Sequence, residues 1–214
     1  KELCQAVVGA FPWPWKVALL LSMPLIFRKA RATWKVAGGW TVKFGRRSVV
    51  GVKPARLLLA GDRRIGDRFF TREIDTGDMV QAITCHELVH AFMQHLRPPT
   101  WLNEGLATLA MEVYLNRSLV RIETLENLRI SLPETGNAKY LRVDRKEEVI
   151  QEFSRGYWRV RYIDCTRPNL LKSLLSERIL PEQLKKLLAS EYGMAQDNFW
   201  IDIDKKVIDR YAPY

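Results

Sequence analysis

The chain has 214 residues, of which 47% are hydrophobic and 27% are charged, so it can bury a sizeable core and is neither disordered nor fibrous. Its formal net charge of +10 at pH 7 lies in the N-terminal third, where residues 1–75 carry 15 Lys and Arg against 5 Asp and Glu, whereas residues 76–214 carry 19 of each. A basic lobe at residues 1–75 can attract nucleic acid, anionic lipid or acidic peptides. A solvated basic face is the default interpretation, because the arginines are not regularly interleaved with aromatic residues on which bases could stack.

Residues 3–27 are almost uncharged and raise the question of a membrane segment. Lys16 and three prolines interrupt them, and the longest uncharged apolar stretch, residues 17–27, is shorter than the roughly 20 residues that a spanning helix needs. The pattern predicts a buried strand at residues 16–22 and no transmembrane helix, with a membrane anchor or signal remnant as the alternative. Because the sequence begins at Lys1, we expect a processed product or a fragment. The compartment stays open, with the cytoplasm favoured over one reached through a targeting segment that this sequence lacks.

Two segments with strand character follow. Residues Gly38–Phe44 and Ser48–Val52 alternate in polarity around the turn sequence Gly45-Arg46-Arg47, which predicts a β-hairpin within a small mixed sheet. Residues 56–60 fit either another strand or a short helix.

The chain is organised around an HExxH sequence, His86-Glu87-Leu88-Val89-His90, within a segment from Met79 to Leu96 that predicts a helix. His86 and His90 then lie one turn apart on one face, with about 5–6 Å between their Cβ atoms, so both imidazoles can bind one tetrahedral cation. Zinc is the expected metal. Glu87 is rotated by about 100° from His86 and overlooks the open side of the metal, where it can act as general base toward a zinc-bound water.

A third protein ligand is required, and Glu104 is the best candidate. Thirteen residues separate it from His90, and it lies on a second predicted helix, 101–115, that packs antiparallel to the first after a turn at 97–100. The side chains of Asp75–Asp78 can cap the first helix and Thr100 the second. His95 is a weaker candidate because it is rotated by about 140° from the histidine face.

The two motifs carry a family resemblance. HELVH at 86–90 followed by WLNEGLA at 101–107 resembles the gluzincin zinc metallopeptidases, in particular peptidase MA-like domains, and more distantly the zinc aminopeptidases. The resemblance implies that His86, His90 and Glu104 bind zinc and that Glu87 is the catalytic base. The spacing to Glu104 is shorter than in the aminopeptidases.

The resemblance continues into residues 153–163, which are similar to the YxKGxxxxxYL helix of the aminopeptidases. The first tyrosine of that motif stabilises the tetrahedral intermediate, and Phe153 occupies its position here. Loss of one such donor can cost about 10²–10³ in rate. Tyr157, one turn further on, either replaces the donor or is a packing aromatic; the second interpretation is favoured.

The C-terminal part predicts a loop at 131–137 and then a helical lobe, with helices at 147–163, 169–176, 181–190 and 196–211. Thr108 is expected to be an ordinary helix residue, with orientation of a ligating imidazole as the alternative. The three cysteines are odd in number and lack metal-type spacing, so they imply no disulfide framework, and Cys85 is expected to be a small buried residue.

These patterns predict one α+β domain over residues 1–214, with a mainly β lobe at 1–75 over the HExxH helix, zinc-site helices at 76–116 and a helical lobe at 145–214. The predicted function is zinc-dependent hydrolysis of peptide bonds in a peptide or protein substrate. Two alternatives stay open. One is a non-catalytic, zinc-stabilised binding module, suggested by Phe153; the other is a nucleic-acid-associated protease directed by the basic lobe. The oligomeric state is not assigned.

Overall fold

A computed structural model describes residues 38–44, 47–60, 66–71, 75–130 and 146–212. The predicted strand at 16–22 and the predicted loop at 131–137 lie outside these ranges. Within them the protein is α+β, with one small antiparallel sheet and a majority of helix. None of the helices in these ranges combines the length and apolar character needed to cross a bilayer.

The predicted hairpin is present. Strands β1 (Gly39–Phe44) and β2 (Arg47–Val52) pair antiparallel, from Gly39 opposite Val52 to Phe44 opposite Arg47. Among the described residues the sheet has these two strands, which are antiparallel as their two-residue connection requires, so the mixed character predicted for the sheet is not seen in this part of the chain. The ambiguous segment at 56–60 is helical and forms α1 (Ala55–Ala60).

Eight α-helices and one 3₁₀ helix occur in the described ranges. After α1 these are α2 (Gly66–Phe69), α3 (Thr76–Met93), α4 (Thr100–Leu115), the 3₁₀ helix (Ile122–Leu128), α5 (Lys146–Thr166), α6 (Pro168–Leu174), α7 (Pro181–Tyr192) and α8 (Phe199–Tyr211). The four predicted C-terminal helices correspond to α5 to α8, with ends that differ by a few residues.

The caps of α3 and α4 explain where the two helices begin. Asp75 caps α3 as predicted, since its Oδ1 accepts a hydrogen bond from the Asp78 amide at 2.9 Å. Helix α4 begins at Thr100 itself, with Pro99 in the capping position, so the prediction that Thr100 is the cap is wrong. Proline fits there because its fixed φ suits the extended conformation that precedes a helix. Between the helices Arg97 adopts a positive φ of 49°, which reverses the chain.

Helix α4 lies between α3 and α5, and two glycines allow its close approach to α5. A Cβ at Gly105 would lie 2.2 Å from the backbone oxygen of Gly156, and a Cβ at Gly156 would lie 2.4 Å from the backbone oxygen of Trp101. The obstructing atoms are backbone, so they cannot move aside as a flexible side chain does. Gly105 therefore sets the α4–α5 distance directly beside Glu104.

We expect Gly105→Ala to lower the free energy of unfolding by about 1–3 kcal/mol, because overpacking at a backbone contact outweighs the gain in helix propensity of up to about 1 kcal/mol. Gly66→Ala is the matched control, because a Cβ there would meet no atom within 4 Å. Urea titration of both variants measures the difference. Equal midpoints for the two variants would show that the close helix contact does not form in solution.

Candidate metal centre

Helices α3 and α4 bring three metal-binding side chains together. The Nε2 atoms of His86 and His90 lie 3.0 Å apart, and Oε2 of Glu104 lies 3.3 Å from the first and 3.4 Å from the second. Each of the three side chains is at most 17% exposed. The predicted convergence of two side chains from one helix and one from its neighbour is therefore observed, and the group could hold a metal ion.

The spacing of the donor atoms fits a tetrahedral ion. Zn²⁺ binds histidine nitrogen and carboxylate oxygen at about 2.0–2.2 Å, which places neighbouring ligands of a tetrahedron about 3.3 Å apart. The three observed separations, 3.0, 3.3 and 3.4 Å, match one face of such a tetrahedron. Three protein donors leave the fourth position for water or substrate, as catalytic sites require.

The outer nitrogens of the two imidazoles, Nδ1 of His86 and Nδ1 of His90, are buried and have no hydrogen-bond partner among the described residues. Metal-binding histidines usually donate this second N–H to an oxygen that fixes the ring. Here the ring planes stand at 86° to each other with centroids 4.5 Å apart, and both rings contact Glu104 through Nε2.

Without metal, Glu104 and His90 form an ion pair. Burial works to raise the pKa of Glu104, but its hydrogen bonds to the two imidazoles outweigh this and lower that pKa to about 2. Burial likewise works to lower the pKa of His90, but the hydrogen bond and charge of Glu104 outweigh it, and together with the charge of Glu87 they raise the pKa to about 9. In the metal-free protein His90 is therefore protonated at neutral pH, and a metal must displace this proton to bind.

This competition between proton and metal predicts a strong pH dependence of metal affinity. A zinc ion would require neutral imidazole, so binding should weaken about 50-fold between pH 9 and pH 7 as His90 takes up its proton, with the slope approaching tenfold per unit well below pH 9. Glu104 stays ionised over this range and contributes nothing to the slope. Competition titration against a zinc indicator of known pH dependence measures it, and a flat dissociation constant between pH 7 and pH 9 would contradict the prediction.

Glu87 lies on α3 beside this centre but not in its donor set. Its side chain is buried, and its Oε2 accepts a hydrogen bond from the hydroxyl of Thr41 in β1 at 2.6 Å. Gly39, also in β1, lies against the same carboxylate, since a Cβ there would be 2.7 Å from Cγ and 2.9 Å from Oε1 of Glu87. The sequence offered no signal for either contact, because both join residues more than forty positions apart.

Neither Phe153, which stands where the family has a tyrosine, nor the alternative donor Tyr157 places a hydroxyl at the centre. Phe153 is half-buried and packs against the core, with its ring centroid 6.0 Å from that of Phe69. Tyr157 is fully buried, and its hydroxyl donates to Oε2 of Glu112 at 2.7 Å. Glu112 follows Glu104 by two helical turns, so Tyr157 acts as a packing and hydrogen-bonding residue, the favoured interpretation of its motif.

Glu112 anchors a network that the motif analysis missed. Its Oε1 accepts the backbone N–H groups of Leu119 and Val120 at 2.6 and 3.1 Å, while Oε2 also accepts Arg161 Nη1 at 2.6 Å. This buried carboxylate therefore ties α4 to the following loop and to α5. The sequence did contain a signal for this role, because Glu112 is the one charged residue in the stretch from residue 106 to residue 115.

The remaining candidates have structural roles. Thr108 donates to the backbone oxygen of Glu104 at 2.8 Å rather than orienting an imidazole. His95 is exposed and pairs through Nδ1 with the backbone oxygen of Phe92 at 2.8 Å, outside the metal-binding group. Cys85 is half-buried, with Sγ 3.6 Å from the backbone oxygen of Ala110, and burial raises the pKa of its thiol.

Comparison with known proteins identified no relative of this chain. No family model matches the chain, and searches of curated proteins and of solved structures gave no significant match.

Proposed function

We propose that the protein is a zinc-dependent metallopeptidase of gluzincin type, in which His86, His90 and Glu104 hold the metal and Glu87 is the general base. The observation that carries the proposal is the triangle of two Nε2 atoms and one carboxylate oxygen, with spacing that suits zinc. The two histidines lie on α3, which also carries Glu87, and Glu104 lies on α4. Two nitrogens and one oxygen are a donor set that zinc hydrolases use with an open fourth position. The resemblance in sequence supports the same assignment.

When bound, zinc supplies Lewis-acid chemistry, lowering the pKa of a water ligand to about 7 and polarising a peptide carbonyl. The chain supplies the proton transfers. Glu87 takes a proton from the attacking water on its carboxylate and delivers it to the amine that leaves when the C–N bond breaks. The low exposure of the site strengthens each electrostatic interaction within it, because less water screens the charges.

The position of the hairpin supports a peptide as the substrate. The amide of Lys53 donates to the backbone oxygen of Gly38 at 2.8 Å, so these two residues form a hydrogen-bonded pair. Along an antiparallel ladder, hydrogen-bonded and non-hydrogen-bonded pairs alternate. The backbone N–H and C=O groups of Gly39 and Thr41 therefore point away from β2, toward an edge of β1 that no other described strand covers. An extended peptide can pair with such an edge whatever its side chains. Of the two strands, β1 is the better candidate because it contacts Glu87.

A second candidate is the non-catalytic zinc-stabilised module. The observation that favours it is the placement of Phe153 and Tyr157, neither of which offers a phenolic group to a developing oxyanion. A site that binds metal without this donor can serve stability or partner binding alone. The nucleic-acid-associated alternative stays a prediction, because most basic residues of 1–75 lie outside the described ranges.

One experiment separates these functions. The purified protein is analysed for metal by mass spectrometry and then incubated with a peptide library as isolated, after chelation, and after zinc is restored. The peptidase requires one zinc per chain and cleavage that disappears on chelation and returns with zinc. Stoichiometric zinc without cleavage supports the module. Retention of DNA or RNA that weakens steeply with salt supports the third function.

A further inference from the structure

Thr41 reaches from β1 to the proposed catalytic base. Its Oγ1 lies 2.6 Å from Oε2 of Glu87 and 2.9 Å from the backbone oxygen of the same residue. A hydroxyl carries one proton, and the ionised carboxylate is the stronger acceptor because the bond is charge-assisted. The hydroxyl therefore donates to Oε2, with the backbone oxygen as a second acceptor nearby.

The other carboxylate oxygen is differently placed. Oε1 of Glu87 faces Gly39, where a Cβ would lie only 2.9 Å away, and it receives no hydrogen bond from a described residue. Oε2 is thus held by a donor on β1, whereas no donor among the described residues holds Oε1. The absence of a side chain at Gly39 leaves room for this arrangement.

We propose that Thr41 is a positioning residue for Glu87: it fixes Oε2 and the carboxylate plane so that Oε1 accepts the proton of the attacking water. The inference rests on the function proposed above and deepens it by naming the residue that orients the base. Glu87 is bonded across the hairpin–helix contact, so its orientation depends on β1 being seated on α3. Thr41 itself neither gains nor loses a proton in the reaction.

The test compares Thr41→Val, which keeps the shape and removes the hydroxyl, with Thr41→Ser, which keeps the hydroxyl. Ser48→Ala is the matched control, because Ser48 lies on β2 and donates to Oε1 of Gln94 at 2.8 Å, a hairpin contact away from the base. We expect Thr41→Val to lower kcat by about 10- to 100-fold, a loss typical of a misplaced catalytic group, with KM unchanged and zinc at one per chain. Thr41→Ser should retain kcat within about threefold, and Ser48→Ala should match wild type.

A second readout does not depend on activity. In a double-mutant cycle with Glu87→Gln, the unfolding equilibrium constants of the zinc-free proteins should show a coupling of about three- to tenfold between positions 41 and 87, because a hydrogen bond to a charged acceptor is about twice as strong as one to a neutral acceptor.

The outcomes are distinguishable. If wild-type protein with zinc cleaves no peptide, the proposed function fails and this inference fails with it. If wild type is active and Thr41→Val has the same kcat, loses its zinc, or shows no coupling to position 87, the inference alone is overturned.

Discussion

Glu87→Gln is expected to abolish peptide hydrolysis while leaving one zinc per chain. General base catalysis contributes about 10²–10⁴ in rate, and glutamine is nearly the same shape but cannot accept the proton. Zinc should remain because the three donor atoms of the metal centre come from other residues. We therefore expect kcat to fall by at least about 10³, with KM changed little.

The control for this variant is Glu191→Gln on α7, the same chemical change at an exposed position outside the metal centre. Steady-state kinetics and metal analysis are performed on the same preparations. Residual activity close to wild type in Glu87→Gln would assign the proton transfer to another group. Loss of zinc in that variant would instead make Glu87 a ligand.

Glu104→Gln is expected to weaken zinc binding at least about 100-fold, more than the loss of a residue that merely orients a ligand. The amide offers a neutral oxygen in place of the carboxylate that lies 3.3 and 3.4 Å from the two imidazole nitrogens. Glu104→Asp is the matched variant, because it keeps the charge on a shorter side chain and should bind zinc with intermediate affinity. Equilibrium competition with a zinc indicator ranks the three proteins.

Glu104→Gln should also change the pH dependence of stability in the metal-free protein. Since Glu104 raises the pKa of His90 to about 9, its pairing with protonated His90 contributes stability that is fully present below about pH 6.5 and is lost as the pH rises through about 9. Glu104→Gln removes this contribution, so the gap between wild type and variant should be large at pH 6 and small at pH 10. Zinc affinity equal to wild type in Glu104→Gln would remove Glu104 from the proposed ligand set.

Local sequence rules predicted the elements around the centre well. The spacing of His86 and His90 and the cap at Asp75 act within one or two helical turns, so the chain needs no distant partner to express them. The first residue of each helix also depends on local chemistry, and the prediction failed at the start of α4. There Pro99, rather than Thr100, occupies the capping position. The prediction of a mixed sheet went beyond what the two described strands contain.

Contacts between distant segments explain what sequence reasoning missed. The hydrogen bond from Thr41 to Glu87 and the one from Tyr157 to Glu112 join residues 46 and 45 positions apart, and no periodicity encodes which hydroxyl meets which carboxylate. Tyr157 shows this most clearly: its position one turn after Phe153 left two roles open, and the packing of α5 against α4 decided between them by placing its hydroxyl on Glu112.

By itself, the sequence determined which residues can bind a metal, because a ligand pair at helical spacing and an acid on the next helix need only short-range geometry. Tertiary structure alone decided that their donor atoms meet at 3.0 to 3.4 Å, that β1 covers the base, and that Gly105 brings α4 close to α5. The physical reason is that helix spacing depends on neighbours along the chain, whereas the orientation of a buried carboxylate depends on whichever donor the fold packs against it.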